Sequence, residues 1–238
     1  NVYRPDETTI VVIGKVTPEQ AKTLVTKYFG GWQAMGPKPE TLLPPVPLNT
    51  AKTVAVPDAS RTQVSTTLGE TLELNRYSPD YYALQLGNRV LGGGFYATRL
   101  YRDLREKTGL VYFVGTSFSV GKTRSSYQVE YGCDPQNVSK ARKLVMSELK
   151  SMQTTPVSPA ELRQAKAMAM RDLPLSESSE GGIAGGLLGR AMADLPLDEP
   201  TRAAKKYLAL DAQQVRAAFD KWVDLNRFVQ VTEGPNPR

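Results

Sequence analysis

Residues 91–114, LGGGFYATRLYRDLREKTGLVYFV, decide how this chain is read. Three glycines end one helix, a second runs from Ala97 to about Lys107, Gly109 breaks it, and Leu110–Val120 continues as a strand. Leu100 and Leu104 are four apart and face a core. Arg99, Arg102 and Arg105 fall near one side of the helix. Gly109 turns the chain so that Tyr112 enters the strand beside the helix end, and Arg105 and Tyr112 can then point into one space. A guanidinium and a phenol placed there can hold a peptide carbonyl or a developing oxyanion. The plainer reading is a surface arginine paired with Glu106 and a tyrosine in the core. Gly92-Gly93-Gly94 lacks the Lys-Ser/Thr of a phosphate loop and follows a helix rather than a strand, so it reads as a flexible connection.

Outward from this segment the pattern alternates between strands and capped helices. Upstream, Ser78-Pro79-Asp80 opens a helix carrying Tyr82, Val90 and Leu91, and Lys52–Val56 and Thr62–Leu68 alternate as strands around a Pro57–Ser60 turn. Downstream, Ser125–Gly132 pairs back as a hairpin through Gly121-Lys122. Asn137–Met152 is an amphipathic helix. Ser158 to Glu161 is a capping box that opens a helix to about Asp172. Ser176–Met192 is a helix weakened by glycines, Asp211–Trp222 is helical, and Arg227–Thr232 is the last strand. At the front, Thr8–Ile13 reads as a short buried strand, followed by a helix whose start is marked by Thr17, Pro18 and Gln20. Five prolines between Gly36 and Leu48 mark a semi-rigid linker and the one domain boundary. The expected class is α+β, an antiparallel-rich sheet covered by helices.

Composition closes off many chemistries. The 238 residues contain no histidine and one cysteine. That removes the usual general base, the commonest neutral metal ligand and the Ser-His-Asp triad together. Zinc would need carboxylates and a single thiolate, an unsuitable set. Cys133 cannot form an internal disulfide and reads as a small buried hydrophobe. The net charge of +6 is scattered among acidic residues rather than gathered into a stripe, which argues against nucleic-acid binding. No stretch is long and apolar enough to span a bilayer. No carboxylate pair stands out as a hydrolytic dyad.

The run Arg105-Glu106-Lys107-Thr108-Gly109-Leu110-Val111-Tyr112 resembles a signature in the C-terminal, non-catalytic half of insulysin/pitrilysin-family zinc peptidases, the inverted HxxEH enzymes, and is similar to their bacterial processing-peptidase-like members. The opening YRPDETTIVVIGKVTPEQAKTLVTKYFGGW resembles the segment that closes the catalytic half. The resemblance implies two α+β half-shells around a chamber, with the zinc, its histidines and its glutamates in the half that this chain lacks. It implies that Arg105 anchors the peptide substrate's backbone and that Tyr112 donates a hydrogen bond to the tetrahedral intermediate. It implies three parts: residues 1–35 as the closing strand and helix of the preceding half, 36–50 as the linker, and 51–238 as the C-terminal domain. The expected partner is a catalytic N-terminal half or partner subunit; the compartment stays open, the resemblance favouring the periplasm over the cytoplasm. A rival from another class is a scaffold subunit related to such peptidases.

Overall fold

Strands β1 (Lys52–Pro57), β2 (Val64–Leu72), β3 (Val111–Val120), β4 (Ser125–Cys133) and β5 (Val229–Gly234) form one sheet in the order β1-β5-β2-β4-β3. All pairs are antiparallel except β1 with β5. The computed structural model describes residues 3–40, 46–94, 96–121, 124–235 and 237. Residues 41–45 of the Pro-rich stretch, and Lys122 in the expected hairpin turn, lie outside them. Among the described residues there are seven α-helices: α1 (Pro18–Phe29), α2 (Tyr81–Asn88), α3 (Val138–Thr154), α4 (Pro159–Ser176), α5 (Glu180–Met192), α6 (Glu199–Ala209) and α7 (Ala212–Trp222). The expected α+β class, with helices over an antiparallel-rich sheet, is the class observed.

The chain divides into two compact units, residues 1–44 with 170–204, and residues 45–169 with 205–238. The second holds the sheet. Period-two alternation buries Val64, Leu68 and Leu72 on β2 and Tyr127, Val129 and Tyr131 on β4. The Tyr127 ring meets Phe219 of α7 edge-on at 6.1 Å, so helices cover this face. The alternate residues Ser65, Thr67, Thr71, Ser126 and Gln128 are half-buried, and Glu130 is exposed. The second face is therefore polar and half-buried. Asp80 does not cap α2 as the sequence suggested; its carboxylate accepts from Lys221 Nζ and Trp222 Nε1 of α7, both at 2.8 Å.

In the first unit the Thr17 capping box forms as expected, with reciprocal bonds to Gln20 of 3.2 and 2.9 Å. Buried Arg4 grips Asp6 and donates to the carbonyls of Met35, Gly36 and Pro37. Thr8–Ile13 is not a strand. It is irregular, and Ile10 and Val12 are 46% and 49% exposed. An apolar run becomes a strand only where another strand offers a ladder, and none of the five does. No helix among the described residues is long and apolar enough to cross a membrane.

Candidate functional site

The site is built where two stretches of π-helix meet the edge strand. After Asn88, α2 widens into a π-turn, Arg89–Gly93. Gly92 lies so near β3 that a Cβ there would sit 2.8 Å from Thr116 Cγ2 and 3.0 Å from Leu100 Cδ1. Thr116 Oγ1 donates to Asn88 Oδ1 at 2.6 Å across the same contact. Gly92 thus serves close packing against the strand, not the flexible connection read from the sequence.

A second π-helix, Tyr101–Glu106, carries the arginines. Its widened turn separates side chains that α-helical spacing had placed together. Arg99, just before it, is buried and makes a bidentate pair with Glu161 of α4 at 2.7 and 2.9 Å. Arg102 pairs with Asp103. Only Arg105 turns toward the strand, where Nη1 donates to Val111 O at 2.9 Å. Leu100 and Leu104 are fully buried, as expected. Thr108 Oγ1 caps the helix end through the carbonyls of Asp103 and Leu104. Gly109 then adopts φ +62°, the left-handed turn that aims the chain into β3.

Tyr112 occupies a β-bulge. Val111 pairs with Cys133 and Phe113 with Gly132, so Tyr112 is the extra residue between two that face opposite sides. Its ring centroid lies 5.9 Å from the Arg105 guanidinium, within cation–π range. Its hydroxyl donates to Asp134 Oδ1 at 2.7 Å, and this bond is the main cause that holds its pKa above the ordinary phenol value. The side chain remains 44% exposed. Arg105 and Tyr112 are thus brought together at one end of the edge strand, both open to solvent. The expected core tyrosine is not found, and the arginine is tied to a backbone carbonyl. Asp134, twenty-two residues on in the sequence, was not foreseen; only the hairpin register puts it beside Tyr112. Such a pair can grip a carbonyl and donate to a developing oxyanion. Among the described residues no group of three or more carboxylate or thiol side chains could hold a metal ion.

The family described as the Peptidase M16 inactive domain matches over residues 1–169. An uncharacterized zinc protease of Mycobacterium leprae is 27% identical over 190 residues, 78% of this chain and 39% of that protein. A probable inactive metalloprotease of Bacillus subtilis is 22% identical over 236 residues, 98% of this chain and 54% of that protein. The crystal structure of a peptidase M16 inactive domain from Pseudomonas fluorescens superposes with a TM-score of 0.81 at 26% identity, covering 94% of this chain and 52% of that one. The chain belongs to the peptidase M16 inactive-domain family, the non-catalytic half that its sequence resembles. It spans 39% and 54% of the lengths of these two curated relatives.

Proposed function

We propose that this chain is the substrate-binding, zinc-free half of a metalloendopeptidase, and that a catalytic half outside it supplies the zinc, which polarises the scissile carbonyl and the attacking water. One observation carries this reading: Arg105 and Tyr112 stand side by side, 5.9 Å apart and exposed, at the mouth of an edge strand. Arg105 has one N–H engaged by Val111 O, and its planar fork offers further donors to a peptide carbonyl. The Tyr112 hydroxyl exchanges its bond to Asp134 for one to the tetrahedral oxyanion. Asp134 serves as the parking acceptor that keeps the phenol aimed until then.

The exposed apolar run of residues 8–13, together with exposed Leu24, Tyr28 and Phe29 on α1, supports the same division. Residues 1–35 close the sheet of the preceding half, where Thr8–Ile13 finds its ladder partner.

The test is cleavage of a fluorogenic peptide by the full-length protein. Tyr112→Phe removes one oxyanion donor and is expected to lower kcat about 100-fold, on the order of 3 kcal/mol, with little change in fold. Unchanged cleavage sinks the assigned role. The second reading, a scaffold subunit, is favoured by the inactive status of the Bacillus subtilis relative's name. It requires stable binding to other subunits and no effect of either residue on any cleavage.

A further inference from the structure

Thr53, Gln230 and Leu68 stand in one row across β1, β5 and β2, on the helix-covered face of the sheet. Leu68 and Gln230 are 1% and 5% exposed, but Thr53, on the edge strand, is open to solvent. The helical cover therefore stops short of β1. Where it stops, a cavity of about 370 Å³ opens between this row, Phe228, and Arg142 and Met146, one turn apart on α3. Small-molecule sites occupy about 300–1,000 Å³, so the space suits a small organic ligand. Lys52 and Asn226 complete the rim.

The charge around this cavity is one-sided. Its lining includes Arg142 and Lys52 and no carboxylate. Among the described residues neither side chain makes a hydrogen bond or an ion pair. Lys140 and Lys143 flank Arg142, and the first carboxylate of α3 is Glu148. Asp224 and Glu70, on neighbouring segments, lie 3.2 and 3.6 Å from Arg227 and are taken by it. The cavities beside the arginine helix and at the end of α7 differ, for each holds carboxylates, Glu161 in one and Asp224 in the other. Arg142 thus presents a planar fork of donors that matches two oxygens of a carboxylate or phosphate. Asn226 engages only its backbone N–H, given to Asp224 Oδ1 at 3.0 Å, which leaves its side-chain amide beside that fork. At the buried end, Gln230 gives Nε2 to Thr232 Oγ1 at 3.0 Å and keeps its carbonyl oxygen as an acceptor. That acceptor calls for a hydroxyl on the ligand.

We infer that this cavity binds a small hydroxylated organic anion, a carboxylate or a phosphate monoester, with its charged group on Arg142 and its hydroxyl on Gln230. Met146 and Phe228 wall the carbon skeleton between them. Lys52 is in register with Val229, on the opposite face, and adds attraction rather than contact. A ligand so held bridges α3 to the edge row and braces β1, which among the described residues has β5 as its one neighbour. The site lies at the edge of the sheet opposite Arg105 and Tyr112, and it does not depend on the peptide-binding reading.

The test is calorimetric titration of the full-length protein with glycerate, glycerol phosphate, inorganic phosphate and uncharged glycerol. At least one of the two organic anions is expected to bind with a Kd below about 1 mM, and glycerol not at all. The tighter of the two identifies the charged group. Arg142→Gln is expected to weaken that binding about tenfold or more, because a charge-assisted pair is lost. Lys143→Gln removes the same charge from the next position of α3, outside the cavity, and should leave binding within about twofold of the original. Both side chains are exposed, so neither change threatens the fold. No saturable heat with either organic anion at millimolar concentration overturns the site. Equal weakening by the two variants also overturns it, since binding would then follow diffuse charge. Inorganic phosphate bound as tightly as glycerol phosphate overturns the assignment of an organic ligand.

Discussion

Replacing Glu161 by glutamine isolates the charge that fixes the arginine helix in place. Arg99 meets both carboxylate oxygens, at 2.7 and 2.9 Å, and its Nη1 reaches Ser151 Oγ at 3.2 Å on α3. The same carboxylate accepts the Ser158 N–H at 2.8 Å, closing the capping box of α4. These bonds, that from Arg99 foremost, hold the Glu161 carboxyl at about 2, against an ordinary 4.5. A depressed carboxylate pKa stabilises the fold above the unfolded-state value, and the benefit is lost as pH falls from 4.5 through about 2. At about 1.4 kcal/mol per pH unit the ionised form contributes about 3 kcal/mol at pH 7 and about 1 kcal/mol at pH 3. Glutamine keeps the shape and an acceptor for Ser158 but not the charge. Urea unfolding followed by circular dichroism should therefore show Glu161→Gln less stable by about 3 kcal/mol at pH 7, narrowing to about 1 kcal/mol at pH 3. A gap equal at both pH values, or under about 0.5 kcal/mol at pH 7, would refute the charge-based account.

Two further perturbations probe the frame of the site. Gly92→Ala sets a methyl 2.8 Å from Thr116 Cγ2, and the overpacking is expected to cost about 1–3 kcal/mol, read as a lower thermal midpoint. Glu70 is buried on β2, and burial pushes its pKa up to about 8 despite two bonds from the Asp224 N–H and an Arg227 guanidinium 3.6 Å away. Between its ordinary 4.5 and about 8 the folded state keeps a proton that the unfolded state has lost, so stability falls as pH rises through that window. Glu70→Gln should flatten that fall, checked by urea midpoints at pH 5 and pH 8.5.

Local signals in the sequence were dependable where the structure needed only local partners. The capping boxes at Thr17 and Ser158 and the Arg105-to-Tyr112 spacing are complete within a few residues, and each is realised. The hairpin closes with Gly121 N donating to Arg124 O. Features that depend on distant chain were not legible. Thr8–Ile13 has the composition of a strand, but none of the described strands offers it a ladder. The two π-helical stretches, the first with Gly92 against Thr116 of β3, leave no mark in hydrophobic period. The bulge at Tyr112 is a property of the β3–β4 register, and so is the nearness of Asp134. Helix α6 lay between two expected elements and was not foreseen.

The strand order also bears on synthesis. Among the described residues β1 pairs with β5 alone, in parallel, with Lys52 beside Val229. β5 lies between β1 and β2, so β1 has no neighbour in this sheet until β5 has left the ribosome. The hairpin of β3 and β4 can form early from adjacent chain, whereas the other side of the sheet waits for the distant contact of Lys52 with Val229. During that wait the emerging chain carries an unblunted β3 edge on a half-finished sheet. The period of greatest exposure to misassociation thus falls between the emergence of β4 and that of β5.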